Sequence, residues 1–559
     1  MSLATTRHYL ARYGWIIGGL LYGLSFPSFP FPWLGFLALA ALAPILLSVI
    51  GEVSFILFFA KIWAAFFIGS STAIWWVYPT HYLASFFGHA ALSLCISAPF
   101  LLFFSVRKRA GAELALVLLP FIWAAWEWMF SFMPFCIPLL FFGHTQAAHP
   151  YLVQYASITG VWGVSFWLVA CNALLVAAVC GLGTKPAKFF YGNGKIAALL
   201  LLPPAYSLYA YSLQTGQAPG QAAGQGINIL LVQPNGHGNA PEAAGAKGND
   251  LDKLVGLTSQ GVSSKPDLIV WPEAAVQFPL FQFAASRSFI SNEVRGWDTP
   301  LFTGMLAVRR AADGTPPGEE APQKKRLSHF NHFNAAMMIT PELASYIGQG
   351  KQVEPAMYYK RKLFPFVEFI PFVDQFPFLA KLQLQLPLSA SAHNFTLGAQ
   401  PETFLFKSRA GDKVRMGTLI CFEEFYPGLG ADLAASGAEF IAVIGDEWQF
   451  RPESARYFNM MVSGMRAIET GLPLVRNANN GYLALTDPHG VTTRIPGAQT
   501  SNTVIATLHP SSGNTFFVLH KNWFPLFCLF VAGTMLLWRA VTLLRSTVTN
   551  AEKPEAIQA

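Results

Sequence analysis

The stretch Met416-Gly-Thr-Leu-Ile-Cys421-Phe-Glu-Glu-Phe-Tyr-Pro427 decides how the rest of the chain is read. Residues 413–420 are short, largely apolar and bounded by charges and a turn, the pattern of a buried strand. The run closes on Cys421, and two carboxylates and an aromatic follow at once. In α/β folds, reacting groups gather where strands end. Cys421 is also the one cysteine outside the strongly apolar segments; Cys95, Cys136, Cys171, Cys180 and Cys528 lie in or beside them. Taken alone, Cys421 reads first as a buried structural thiol, since free cysteine is among the most buried residue types.

Of the 559 residues, 53% are hydrophobic and 12% charged, a membrane protein's balance with about half the usual charge content. One cysteine in the polar part cannot form an intramolecular disulfide there, so disulfides say nothing of the redox compartment. No nucleic-acid motif or basic stripe appears.

Apolar stretches cover residues 13–26, 33–50, 53–77, 85–106, 114–130, 158–179 and 196–211, and another covers 523–544. Most have the roughly 20 residues of a spanning helix. The first is not expected to be a cleaved signal peptide, because no small-residue cleavage site precedes the next span. Arg7 and Arg12, Arg107 to Arg109, Lys185, Lys188 and Lys195, and Arg539 and Arg545 all fall on one side of eight spans. The opposite loops, 27–32, 78–84 and 131–156, carry no Lys or Arg. The positive-inside rule therefore puts both termini in the cytoplasm and the segment between the seventh and eighth spans outside. Trp33, Trp75, Trp76, Trp523 and Trp538 lie near span ends, where interfacial anchors sit. His81, His89, His144 and His149 show no metal-ligand spacing and read as interfacial or hydrogen-bonded histidines. Glu127 suits a lipid headgroup or a neighbouring helix equally well.

The division expected is a bundle over 1–212, a Gly/Gln/Ala-rich linker over 213–226, an extramembrane domain over 227–520, and a last span with its tail over 521–559. Strands are expected at 227–233, 268–271, 301–306, 334–339, 413–421, 440–444, 474–476, 482–486 and 504–508, with helices at 251–259 and 455–469. Strands mixed with helices indicate a layered α/β domain. The charged, Pro/Gly-containing run 311–327 reads as a surface loop.

Two further stretches carry chemistry. Asp267-Leu-Ile-Val-Trp-Pro-Glu273 sets a carboxylate just after a short strand, as a general base or a solvated loop glutamate. Tyr358-Tyr-Lys360-Arg-Lys-Leu-Phe-Pro-Phe-Val-Glu368 sets three cations beside a Pro/Phe-rich run, suited to an oxyanion or to lipid phosphates. A cysteine nucleophile needs a base or a positive field, and Glu273 with Lys360 would supply both.

Trp-Pro-Glu273, Tyr-x-Lys360-x-x-Leu-x-Pro-x-x-Glu368 and Cys421-x-Glu423, in this order, resemble the nitrilase superfamily and its Glu–Lys–Cys triad. Set before the last of eight spans, they resemble its membrane-embedded branch, the apolipoprotein N-acyltransferase family of Gram-negative bacteria. Val232-Gln-Pro-Asn235, Met465-Arg-Ala-Ile-Glu469 and Arg476-Asn-Ala-Asn-Asn-Gly481 match as well. The resemblance implies a multi-span α-helical bundle joined to an αββα sandwich, with catalytic Glu273, Lys360 and Cys421. It implies acyl transfer from a phospholipid donor, through a cysteine thioester, to the amine of a diacylglyceryl apolipoprotein. Neither metal nor organic cofactor is implied, and the enzyme is expected to work as a monomer in the bacterial inner membrane, its catalytic domain periplasmic. By the same resemblance, Phe422 N–H would help hold the oxyanion, while Glu368 and Glu423 would orient Lys360 and shape the pocket. The Phe-rich segment 364–377 would serve as a lid or as core packing. Two departures stand out: no tryptophan in 236–250, and Gly445-Asp-Glu-Trp-Gln-Phe450 where Asn-Asp-Ala-Trp-Phe-Gly is usual. The competing readings are a membrane-tethered amidase or hydrolase, and a transporter or lipid-binding protein with an inactive domain.

Overall fold

Among the described residues, twelve strands carry the extramembrane half, and their apolar runs set the pairing. They are β1 (Ile227–Gln233), β2 (Leu268–Val270), β3 (Leu301–Arg310), β4 (Phe330–Ile339), β5 (Ala356–Tyr359), β6 (Phe404–Lys407), β7 (Lys413–Ile420), β8 (Phe440–Asp446), β9 (Leu474–Asn479), β10 (Ala484–Thr486), β11 (Thr492–Arg494) and β12 (Asn502–Leu508). The structure is a computed structural model and describes residues 3–80, 82–181, 193–215, 226–235, 249–310, 330–373, 375–376, 395–448, 450, 452–496 and 502–551. His81, Lys185, Lys188, the surface loop 311–327, most of the linker and most of 236–250 lie outside the described residues.

The strands form two six-stranded sheets, ordered β12-β1-β2-β3-β4-β5 and β6-β7-β8-β9-β10-β11. Edge to edge, each sheet pairs antiparallel, parallel, parallel, antiparallel, antiparallel. Their inner faces share one core, in which Leu231, Val270, Phe302 and Tyr358 of the first sheet meet Met416, Ile420, Ile444 and Val475 of the second. Helices Asn249–Gly261, Ala284–Trp297 and Pro341–Gly348 cover the outer face of the first sheet. Helices Pro427–Ala435 and Glu453–Thr470 cover the second, completing the αββα sandwich. Strands β5, β6 and β11 were not anticipated; all three are sheet edges of three or four residues, too short to show a period.

Six helices among the described residues are long and apolar enough to cross a membrane: Pro32–Val49, Phe55–Ala73, Tyr82–Ala110, Ala112–Phe130, Val161–Cys180 and Trp523–Thr542. Helices Leu3–Leu24 and Asn193–Thr215 occupy the expected first and seventh positions but fall short of that apolar length, the one carrying arginines and the other polar ends. Outward-facing Ile56, Leu83, Phe530 and Trp538 are exposed, as lipid contact requires. One oxygen of Glu127 is held within the bundle, where Oε1 accepts from Trp123 Nε1 at 2.9 Å and from Phe142 N–H at 2.7 Å.

The helix layer on the second sheet is also the floor on which the bundle rests. Phe458 stacks with Phe26 at 6.3 Å, Tyr426 Oη donates to the Cys136 carbonyl at 3.0 Å, and Val161 N–H donates to Glu469 at 2.8 Å. Trp76 is therefore no interfacial anchor. It is 1% exposed and meets Phe450 edge-on at 5.0 Å.

Candidate active site

Glu273 arrives on the turn after β2. Trp271, fully buried, donates Nε1 to Thr258 at 2.9 Å and pins the strand end to the outer helix. Gly304 of β3 lets that turn pass close by, since an added Cβ would come within 2.5 Å of the Pro272 carbonyl oxygen. Lys360 follows β5 directly, its N–H extending the ladder to the Asn334 carbonyl at 2.9 Å.

These placements converge on a closed polar cluster. Lys360 Nζ lies 3.1 Å from Glu273 Oε1 and 2.9 Å from Glu368 Oε1. Asn334 Nδ2 donates to the same two oxygens at 2.8 and 2.9 Å. Two donors thus alternate with two carboxylates, all buried, which leaves each charge both paired and hydrogen-bonded. Burial works against the Lys360 ammonium, but Glu273 and Glu368 more than offset it, and its pKa lies above the usual lysine range. The second oxygen of Glu273 accepts Asp446 N–H from the other sheet at 2.9 Å. Burial and then the charge of Glu273 push the Asp446 carboxyl well up, which favours its neutral form.

Cys421 opens the short 3-10 turn Cys421–Phe425 with φ of +52°, a left-handed conformation that a non-glycine residue adopts only under constraint. Glu423 supplies that constraint. Its carboxylate accepts from Ile420 N–H at 2.9 Å, Arg361 N–H at 2.6 Å, Lys362 N–H at 3.2 Å and Tyr358 Oη at 2.9 Å. It therefore clamps the cysteine turn to the loop after Lys360 rather than touching Lys360 itself. Burial, then Glu273, raise the Cys421 thiol well above the usual range while Lys360 opposes them, so the sulfur rests protonated.

Cys421, Glu273, Lys360, Glu368 and Phe422 all line one cavity of about 860 Å³, its open mouth included. Trp76, Val77, Thr80 and Leu139 of the bundle line it too, as do Phe364 and Val367 of the Phe-rich segment. Phe364 packs edge-on against Phe422 at 4.5 Å, while Phe372 reaches Phe135 of the bundle at 6.1 Å. Glu423 lies outside the lining. Sequence reasoning missed Asn334, Asp446 and a second buried cluster, Glu424–Arg476–Glu447. The available signals were a polar residue inside an apolar strand run and a cation closing another.

A model described as carbon-nitrogen hydrolase matches residues 231–515, and one described as apolipoprotein N-acyltransferase N-terminal domain matches 18–174. The apolipoprotein N-acyltransferase of Chlorobaculum tepidum is 30% identical over 536 residues, spanning 94% of this chain and 96% of its own. The chain belongs to the apolipoprotein N-acyltransferase family. Relatives of the same description from Geobacter metallireducens and Pseudomonas aeruginosa are 26% and 29% identical, spanning 85% and 75% of this chain and 85% and 72% of their own. Among solved structures, an amidase from Nesterenkonia sp. has a TM-score of 0.35 at 17% identity, covering 55% of this chain and 100% of that one. Saccharomyces cerevisiae Nit3, of the nitrilase superfamily, has 0.34 at 15%, covering 54% and 94%. Membership of the apolipoprotein N-acyltransferase family and the hydrolase-type domain together support an acyltransferase enzyme. The apolar helices fit a bacterial membrane protein.

Proposed function

We propose that the protein moves a fatty acyl chain from a membrane phospholipid to the α-amine of the S-diacylglyceryl cysteine of an apolipoprotein, with Glu273, Lys360 and Cys421 as the catalytic triad. The observation that carries this is the make-up of the cavity: ionic groups and a thiol share its lining with Trp76, Val77, Thr80 and Leu139 from the turns of the membrane bundle. A nucleophile placed there meets lipid esters before it meets soluble amides.

In the first half-reaction Glu273 takes the thiol proton as Sγ attacks the ester carbonyl. Lys360 has three N–H donors, two of them engaged by Glu273 and Glu368, and the third meets the tetrahedral oxyanion together with Phe422 N–H in the unpaired first turn of its helix. The C–O bond breaks, the leaving alkoxide takes the proton from Glu273, and a lysophospholipid departs. In the second half-reaction the free amine attacks the thioester carbonyl and yields its proton to Glu273. The C–S bond breaks, and the thiolate recovers that proton. Glu368 orients Lys360, and Glu423 holds the nucleophile's turn. Every group named comes from one chain, which suits a monomer. The same reading takes residues 1–212 as a bundle of about seven spans, 213–226 as a linker, 227–520 as a periplasmic catalytic domain, and 521–559 as the eighth span and tail, both termini cytoplasmic.

The test is a two-step assay on the purified protein. Labelled phospholipid should give a labelled thioester that chases onto the amine of a diacylated lipopeptide. Free fatty acid as sole product would make the protein a hydrolase, and an unlabelled protein would end both readings. A reporter fused after Gly226 should be periplasmic and one at Arg109 cytoplasmic; the reverse overturns the orientation.

A further inference from the structure

Glu424 takes no part in the steps above, yet it lines the same cavity as Cys421. Arg476 Nη1 donates to Glu424 Oε2, and Arg476 Nη2 donates to Glu447 Oε1. Asn459 Nδ2 donates to that same Glu447 oxygen at 2.8 Å. The four residues form one chain from Glu424 to Asn459, and both ends of the chain face the cavity.

The orientation of Asn459 follows from chemistry. A carboxylate can only accept, so the atom on Glu447 is the amide nitrogen, and Oδ1 points away from it. Asn459 is 5% exposed, and its Oδ1 is buried with no hydrogen-bond partner among the described residues. An unpaired buried acceptor is costly unless a ligand brings the donor. Glu424 commits Oε2 to Arg476, which leaves Oε1 for the cavity. Two carboxylates share one guanidinium here, so the cluster is short of positive charge. Burial pushes Glu424 up to about 7 against the pull of Arg476 and the weaker pull of Arg466, which is itself paired with Glu469, and a further cation would reinforce them. A compact cation carrying at least two N–H donors satisfies both free acceptors and the charge.

We propose that the Glu424–Asn459 edge of the cavity is a binding site for the primary ammonium group of a substrate. It deepens the N-acyltransferase reading and rests on it. Two substrates bring that group: the acceptor's α-amine, which arrives as ammonium, and an ethanolamine headgroup on the donor. The α-amine fits the second half-reaction, because the cluster then favours an amine over uncharged water at the thioester; the bound ammonium releases one proton to solvent before the free amine attacks.

The test uses the full-length protein in detergent and the variants Glu424→Gln and Asn459→Ala. Thioester formation is timed separately with labelled phosphatidylethanolamine and phosphatidylglycerol, and the chase onto a diacylated lipopeptide is followed at varied peptide concentration. The result expected is a KM for the lipopeptide raised tenfold or more, well beyond any slowing of thioester formation from phosphatidylglycerol. Loss of a phosphatidylethanolamine preference, with the peptide KM unchanged, assigns the same site to the headgroup. Parallel slowing of all steps at constant KM marks a merely structural cluster and overturns the proposal, as does wild-type behaviour of both variants. Asn459→Ala decides the matter if Glu424→Gln does not fold. A wild-type protein that forms no thioester would instead sink the underlying reaction.

Discussion

Lys360 and Arg476 each lie buried between two glutamates, and both clusters reach the wall of one cavity. The charge count is the same, one cation to two anions. The cations differ in shape. An ammonium is a point with three rotatable donors, and two glutamates leave one of them free. A guanidinium is a planar fork, and Arg476 gives each terminal nitrogen to a different glutamate. In the proposed reaction the Lys360 cluster offers a donor, and the Arg476 cluster offers acceptors. Backbone N–H groups of Asp446 and Phe364 take the second oxygens of Glu273 and Glu368, whereas Glu447 Oε2 and Asn459 Oδ1 have no hydrogen-bond partner among the described residues. Equal composition yields opposite hydrogen-bonding character because the surrounding donors, and not net charge, decide what is left over.

The largest effect should come from the donor side. Lys360→Met and Cys421→Ser are expected to cut labelled-thioester formation by about a thousandfold or more, the scale of losing an oxyanion donor or a nucleophile. Cys421→Ser should keep the wild-type unfolding temperature. Lys360→Arg, equal in charge, should fall nearly as far as Lys360→Met in the same assay; full activity would erase the distinction between point and fork. Arg476→Met leaves two buried carboxylates without a counterion and should destabilise the fold by about 3–5 kcal/mol, read by thermal unfolding in detergent. A wild-type melt with lost turnover would make that cluster catalytic instead. Asn334→Ala removes the donor shared by Glu273 and Glu368 and should cost about 1–3 kcal/mol in the acylation barrier, seen as a slower burst of thioester.

The smallest effect is a pH trend. Burial raises Glu424 to about 7 and Glu423 to about 6, so the folded state holds these protons more tightly than the unfolded chain. Stability present when they are protonated is lost as pH rises through 6 and 7. The unfolding temperature should therefore decline from about pH 5 to about pH 8, and less so in Glu424→Gln. A rise over that interval would reverse the sign assigned to burial.

The central strands were legible because β1, β7 and β8 are nearly continuous apolar runs, the mark of strands covered on both faces. Edge strand β11 has its side chains half-buried or exposed and leaves no such trace. Glu273, Lys360 and Cys421 could be picked out because each follows a strand end within a local motif. Asn334 could not, because its function lies in two carboxylates 61 and 34 residues away. The Arg476 cluster is likewise tertiary, joining positions 52 and 29 residues apart. Glu447 lies in the departing run Gly445–Phe450, so the unusual spelling there does have a partner in space. The segment 131–156 was readable only as a loop free of cations, whereas it folds back into the bundle and brings Leu139 to the cavity.

Phe458 belongs to helix Glu453–Thr470, which covers the second sheet, yet its ring stacks on Phe26 and packs 6.2 Å from Trp76. One helix layer therefore has no solvent of its own: sheet lies on one side and bundle on the other. In protein-engineering terms the catalytic half has no detachable boundary there. A fragment cut free at the linker would present that apolar face to water and should self-associate unless detergent replaces the missing helices. For the same reason, a change in the packing of the bundle near Phe26 has a direct route to the helix that carries Asn459.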